Sequence, residues 1–406
     1  MRLLIADKLH SRAIEELRTL PVEVIYEPEI TKESLPQRIA GVGILVVRST
    51  EVTAEVIDQA KQLHLIVRAG AEYSTIDVRS ASRRGIYVAN CPGRNAAAVA
   101  ELVYGLILSI DRRIPDAVAS LRAGRWERGT FGGAEGVHGK TLGIAGLGAI
   151  GREVAARARA FGLTPVAWSR SLSASRAAEL GVGYAGSLEE LASRSQILSL
   201  HLPISDKTRE IVNARVLSLL PTRAIFINTA REGLIDHEAL AAAIREKKLR
   251  VGLDVFPGEP KGRDSFPSEA FTPRPAGEGF VYGTPHIAAS TDQAQLAIAT
   301  ETVRVIRSFL LQGNVPNVVN VSPSSVARFQ LVIRMVDRVG TFANVLNVIK
   351  RHGINVEEVT NTVFDGGGAS CAKLRVVSRP SESCLAEIHA FEEVLHVDMV
   401  TLPNLA

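Results

Sequence analysis

The sequence predicts an α/β protein: two doubly wound parallel-sheet lobes followed by a ferredoxin-like βαββαβ unit. Three observations carry that expectation. First, apolar runs of strand length at 2–6, 43–47, 65–69, 141–145, 165–168, 197–200, 224–228 and 251–255 alternate with segments of helical period. Runs apolar on both faces suit parallel strands covered by helices on each side. Second, two long stretches, 95–112 and 291–311, read as helices connecting the lobes. Val99, Leu102, Val103, Leu106 and Ile107 share one face of the first, as do Ala294, Ile298, Val305, Ile306 and Phe309 of the second. Third, the C-terminal part reads as strand (329–335), helix (341–352), strand (355–364), strand (371–377), helix (382–394) and strand (397–402).

These elements divide the chain into a lobe made of 1–97 and 291–320, a central lobe inserted at 98–290, and a terminal domain at 327–406. The Pro- and Gly-rich stretch 257–279 reads as a loop, and Ser322-Pro323-Ser324-Ser325 as part of a linker.

Composition excludes several classes. With 46% hydrophobic and 22% charged residues in 406, the chain is neither disordered nor collagenous. The net charge is +4 and the basic residues form no run, so nucleic acid is not an expected partner. Cys91, Cys371 and Cys384 are too few for a disulfide framework and lack metal-ligand spacing, which fits a reducing compartment and no metal site. No segment is apolar for the roughly 20 residues of a membrane span. Met1-Arg2-Leu3-Leu4-Ile5-Ala6-Asp7 reaches an acid too early for a signal peptide, so a cytoplasmic protein is expected.

The run 141–145 leads into Gly146-Leu147-Gly148-Ala149-Ile150-Gly151 and then a helical stretch, 152–161. In that strand–glycine–helix setting the glycines read as the dinucleotide cradle of a Rossmann lobe. Gly146 permits the turn, Gly148 lets a pyrophosphate approach the backbone, and Gly151 lets helix and strand pack closely. The helix N-terminus offers free N–H groups to the anion. The competing reading is a tight turn without a ligand. Where an NAD-selecting acid would end the next strand, the chain has Ser169 and Arg170. Serine does not repel a 2′-phosphate and arginine can pair with one, so NADP is tolerated; NAD, with Arg170 over the adenine, stands equally open.

Three further strand ends carry candidate chemistry. Arg231, after 224–228, can hold a carboxylate in a bidentate fork. Glu259 follows 251–255, and His286 follows 280–282. Reduction of a 2-keto acid needs a proton for the developing alkoxide, which His286 can give near neutral pH with Glu259 supporting its imidazolium. His201 and Pro203, at another strand end, read as lining the cofactor site, His201 through its backbone.

At this point the chain resembles the D-isomer-specific 2-hydroxyacid dehydrogenases. The matching runs are Val47-Arg48-Ser49-Thr50, Arg68-Ala69-Gly70-Ala71, Ala100-Glu101-Leu102, Trp126-Glu127-Arg128, the glycine loop, and the stretches 228–233, 254–260 and 284–291. The resemblance implies Arg231, Glu259 and His286 as the catalytic three. It implies Ala149 and Ile150 at the pyrophosphate, with Thr208, Thr229, Ala230, Asp254 and Ala289 along the rest of the cofactor. It puts the substrate carboxylate on the backbone of Ala69, Gly70 and Ala71, and the phosphate end on Arg48 and Ser49, with Arg128 as a further contact. The implied activity is NAD(P)-linked oxidation of 3-phospho-D-glycerate to 3-phosphooxypyruvate in L-serine biosynthesis, with a glyoxylate or hydroxypyruvate reductase as the alternative. A non-catalytic sensor of nucleotide and amino acid is the alternative of another class. The terminal domain resembles an ACT domain, which implies L-serine as an effector at Asp337 and Asn355, or assembly alone, and a homodimer or homotetramer. Glu72-Tyr73-Ser74 departs from the small, Gly-containing segment usual after Ala69-Gly70.

Overall fold

The computed structural model describes residues 1–260, 277–322 and 326–403. The chain forms two compact units, Met1–Asn320 and Val321–Ala406. The first contains two parallel sheets. One is built from β1 (Arg2–Ile5), β2 (Glu23–Tyr26), β3 (Ile44–Val47), β4 (Leu65–Arg68) and β5 (Tyr87–Ala89), in the order β2-β1-β3-β4-β5. The other is built from β6 (Thr141–Ala145), β7 (Thr164–Trp168), β8 (Gly183–Tyr184), β9 (Ile197–Leu200), β10 (Ile225–Asn228), β11 (Arg250–Leu253) and β12 (Phe280–Gly283). Its order, β12-β11-β10-β9-β6-β7-β8, is that of a Rossmann sheet.

Both sheets are covered on both faces, which is why their inner strands read as unbroken apolar runs. Leu3, Ile5, Ile44 and Val46 pack on one side of the first sheet with Ile298, Val305 and Ile306 of the helix Asp292–Gln312. Leu4, Leu45 and Val47 pack on the other side with Leu35, Val56 and Ile57. In the second sheet Leu142, Ile144, Ile225 and Ile227 meet Val103, Leu106 and Ile107 of the helix Ala96–Arg112. The opposite face buries Leu198, Leu200, Phe226 and Val251.

Strands β2, β5 and β8 were not visible in the apolar pattern, and each lies at a sheet edge. All three are short, of four, three and two residues, which leaves too little sequence for a periodic pattern to show. Residues 261–276 of the expected loop, and 323–325 of the expected linker, lie outside the described residues.

The second unit contains β13 (Phe329–Val336), β14 (Val356–Val363), β15 (Ala369–Val376) and β16 (Val394–Thr401), all antiparallel, in the order β14-β15-β13-β16. This is the ferredoxin-like arrangement. Helices Thr341–Arg351 and Glu382–His389 bury Val345, Val348, Ile349, Cys384 and Ile388 against Leu331, Ile333, Met335 and Leu374. The second helix stops five residues short of the expected 394, because Val394 already pairs with Met335 across a register shift in the β13–β16 ladder. Among the described residues no helix is long and apolar enough to cross a membrane.

A partly buried ion network closes the far side of the second sheet. Buried Arg250 donates to the Arg223 carbonyl at 2.8 Å and to Glu135 at 3.4 Å, and Glu135 also receives Lys140 at 2.7 Å and Arg223 at 3.2 Å. Burial pushes the Glu135 carboxyl up, but the Lys140, Arg250 and Arg223 cations outweigh it and bring it from 4.5 down to about 2. A carboxyl depressed on folding stabilises the fold above its unfolded value, and that stability is lost as pH falls through the folded value. Between pH 4.5 and 2 the unfolding free energy of Glu135→Gln should therefore fall less steeply with acid than that of the parent, by up to one proton's slope. Equal slopes in acid-titrated thermal melts would contradict this.

Candidate active site

Parallel strands open their loops on one edge, and a cleft of about 410 Å³ lies there between the two sheets of the first unit. Its walls include Arg48, Arg68 and Ala69–Glu72 from one side, and Ile150, His201, Pro203, Thr229, Ala230, Arg231, Asp254, His286 and Ala289 from the other.

The glycine loop ends β6. Gly146 has φ +99°, and a Cβ there would sit 2.5 Å from the His201 carbonyl oxygen. A Cβ on Gly151 would sit 2.0 Å from the Gly146 oxygen. At Gly148 a Cβ meets nothing within 4 Å, so the backbone there faces open space. The helix begins at Ala149, three residues earlier than the sequence reading placed it, so Gly151 packs inside its first turn. Its unpaired N–H groups lie at the loop that Gly148 leaves open. The Gly146 N–H donates to the Trp168 carbonyl at 2.8 Å, which brings the end of β7, with Ser169 and exposed Arg170 just beyond it, beside this loop.

Three residues of the cleft wall carry a buried polar atom without a partner: Arg68 Nε on one side, and His201 Nδ1 and Thr229 Oγ1 on the other. Desolvation pushes the His201 ring down to about 3, so it is neutral, with Nε2 2.9 Å from Ser199 Oγ. An open cradle at a helix N-terminus and orphaned polar atoms further along fit a dinucleotide with a polar head.

Asn228, fully buried at the end of β10, shapes the next turn. Its amide donates to the Arg231 carbonyl at 2.8 Å and accepts from the Ala230 N–H at 3.0 Å. That turn presents Thr229, Ala230 and Arg231 to the cleft. The Arg231 Nε donates to Glu72 Oε2 at 3.1 Å, and its two terminal nitrogens bond Glu72 and the Ala230 carbonyl. Asp254, fully buried at the end of β11, accepts from Thr284 Oγ1 at 2.6 Å, Ile287 N at 2.9 Å and Ala288 N at 2.9 Å. The clamped loop holds His286 at φ +53°, a conformation rare outside glycine and enriched at functional sites. His286 Nδ1 lies 2.6 Å from Glu259 Oε2, while Glu259 Oε1 accepts the Phe256 N–H at 2.8 Å. The carboxylate fixes the Nδ1–H tautomer and leaves Nε2 as the second ring nitrogen.

Not every residue singled out from sequence faces the cleft. Asp7 takes the Arg48 and Thr50 N–H groups at 2.7 and 3.0 Å, and the Ser49 hydroxyl at 2.8 Å. Ser49 therefore serves the turn that presents Arg48 and does not line the cleft. Thr208 Oγ1 accepts the Ser205 N–H at 2.8 Å and donates to the Pro203 carbonyl at 2.7 Å, shaping the loop that carries Pro203. Arg128 lies in the helix Arg128–Phe131, beside Trp126 in a separate pocket. Asp337 and Asn355 are exposed in the second unit, where Asn355 donates to Glu357 at 2.8 Å. Among the wall residues that sequence reasoning missed are Arg68 and Glu72. Arg68 ends β4, partly buried, with its Nε unpartnered. Its place at a strand's carboxyl end was the available signal. Glu72 was noted only as a departure.

The sequence model described as "D-isomer specific 2-hydroxyacid dehydrogenase, NAD binding domain" matches residues 104–288. A D-3-phosphoglycerate dehydrogenase of Methanocaldococcus jannaschii is 38% identical over 345 residues, covering 84% of this chain and 64% of the relative, so the chain spans just under two thirds of that protein's length. A hydroxypyruvate reductase of Thermotoga maritima is 39% identical over 307 residues, 75% of this chain and 97% of the relative. The crystal structure of NAD+-bound 3-phosphoglycerate dehydrogenase from Entamoeba histolytica superposes with a TM-score of 0.64 at 27% identity, covering 79% of this chain and 99% of that one.

The glycine geometry separates fold from binding. Gly148→Val should keep the melting temperature and weaken NADH binding by more than tenfold, whereas Gly151→Ala should cost about 1–3 kcal/mol of stability through overpacking. Fluorescence titration and thermal melts of both variants read the difference; a loss of NADH affinity confined to Gly151→Ala would contradict it.

Proposed function

The chain belongs to the D-isomer specific 2-hydroxyacid dehydrogenase family, and from that premise we propose that it interconverts a D-2-hydroxy acid and its 2-keto acid, with 3-phospho-D-glycerate and 3-phosphooxypyruvate as the pair. The observation that carries the reading is the His286–Glu259 contact at 2.6 Å in the same cleft as Arg231 and the glycine loop.

In this reading the glycine loop and the first turn of its helix hold the pyrophosphate, and His201 and Thr229 border the rest of the dinucleotide. When bound, the nicotinamide supplies or accepts the hydride. Arg231 grips the substrate carboxylate and aligns the 2-carbon. In reduction, His286 Nε2–H gives its proton to the oxygen of that carbon as the carbonyl becomes an alkoxide, and in oxidation Nε2 takes it back. Glu259 stabilises the imidazolium and keeps the ring oriented. Asn228 and Asp254 act through the turns they clamp. Arg48 and Arg68 add two guanidiniums beyond the one that the carboxylate needs, which suits a phosphorylated acid. Ser169 and Arg170 leave room for NADP as well as NAD.

The second reading, a glyoxylate or hydroxypyruvate reductase, draws on the Thermotoga maritima relative. A sensor without catalysis has no use for the oriented His286–Glu259 pair. The same proposal assigns the ferredoxin-like unit to regulation by L-serine through Asp337 and Asn355. It puts the protein in the cytoplasm, where its three free thiols stay reduced. It also includes self-association of two or four copies, for which Ile114, Val118, Leu121 and Trp126 offer exposed apolar side chains.

A steady-state panel of 3-phosphooxypyruvate, hydroxypyruvate and glyoxylate with NADH and NADPH, with and without L-serine, tests the reading. The phosphorylated acid should have the highest kcat/KM. Arg48→Ala should raise its KM far more than that of hydroxypyruvate; equal effects would remove the phosphate argument. His286→Gln should lower kcat about 10²–10⁴-fold, the usual worth of a positioned acid–base group. A smaller loss would remove His286 from the proton transfer.

A further inference from the structure

We infer that Glu72 is a tethered competitor for the substrate carboxylate at Arg231. Glu72 lies on the loop after β4, in the first sheet, and Arg231 lies after β10, in the second. The Arg231 Nε donates to Glu72 Oε2 at 3.1 Å and a terminal nitrogen bonds the same oxygen. That pair of nitrogens is the edge with which a guanidinium grips a carboxylate. The other terminal nitrogen is committed to the Ala230 carbonyl. Before any substrate arrives, the anchor thus holds a carboxylate belonging to the protein itself.

The neighbouring carboxylates, Asp254 in the cleft wall and Glu259 behind His286, each hold a backbone N–H as well. Asp254 clamps the 284–288 loop, and Glu259 bonds both His286 and the Phe256 N–H. Glu72 bonds the guanidinium. The two side chains are 33% and 38% exposed, so the pair can exchange with solvent anions rather than being locked in the core. A second guanidinium lies in the same cleft wall, that of Arg68, whose buried Nε is unpartnered. Its pKa is lowered by burial and by Arg48, while the Glu72 charge acts to raise it.

Binding a 2-keto acid then becomes an ion exchange. The incoming carboxylate takes the Nε edge, and Glu72 leaves it. The cost is paid on binding and is shared by the bound ground and transition states of every acid that uses this anchor, so it appears in KM and not in kcat. The position also accounts for an acid where a small residue would leave Arg231 free. This inference rests on the proposed role of Arg231, and its test is chosen to fail independently of that function.

Glu72→Gln keeps the size of the side chain and removes its charge. The KM values of 3-phosphooxypyruvate, hydroxypyruvate and glyoxylate should fall together by about fivefold, the scale of a partly exposed ion pair, with kcat changed less than about twofold. Glu72→Asp, which keeps the charge but shortens the reach, should fall between the two and guards against a folding defect, as do melts of each protein. Unchanged KM values, or a raised KM with reduced kcat, would overturn the inference and make Glu72 a support that orients Arg231. Calorimetric titration of oxalate into the NADH-loaded protein decides the matter even if no keto acid is turned over. Oxalate should bind about fivefold tighter to Glu72→Gln; binding that is unchanged, weaker or absent would sink the inference. Turnover with unaltered KM removes the Glu72 role and leaves the proposed function standing. Tighter oxalate without turnover does the reverse.

Discussion

A carboxylate with no exposed surface must find hydrogen-bond donors, and Asp254 finds them in the loop that carries His286. Three donors close on it from Thr284, Ile287 and Ala288. This holds His286 in a left-handed conformation that a free loop would leave. Asn228 does the same with neutral chemistry one strand away, bonding both Ala230 and Arg231. The two side chains end neighbouring strands, β11 and β10, which are locked in register over four residue pairs. The spacing between the Arg231 and His286 turns therefore follows from a sheet ladder and two buried polar groups.

Charge in the cleft is arranged around that frame. Arg48, Arg68 and Arg231 bring three cations to one cavity. Arg68 has an unpartnered buried nitrogen, and burial lowers its pKa. Glu72 offsets part of the cationic field, and Glu259 is directed away from it, onto the imidazole. His201 contributes none of that field; desolvation keeps its ring neutral.

The cradle for the dinucleotide depends on contact distances smaller than any side chain allows. Gly146 and Gly151 are held by backbone oxygens that a Cβ would strike, and Gly148 by nothing. The motif is thus two packing requirements surrounding one opening. Residues so close in sequence leave the chain few alternatives, which is why this part of the site could be read from a single line of residues.

Local pattern determined a good deal by itself. The inner strands of both parallel sheets, the two long helices, the ferredoxin-like order of the second unit and the glycine loop all arise from periodicity or from short-range sterics. Three of the edge strands, β2, β5 and β8, escaped, since strands of two to four residues are too short to show a pattern. The early end of the second helix in the terminal unit escaped because a β13 partner 59 positions away along the chain claims Val394. Side-chain direction was decided only in three dimensions. Ser49 turns to Asp7, Thr208 turns to its own loop, and Arg128 lies by Trp126 outside the cleft. The Glu72–Arg231 contact spans 159 residues and joins two sheets. No local spacing encodes such a meeting, because it depends on where two independently folded strand ends are brought together.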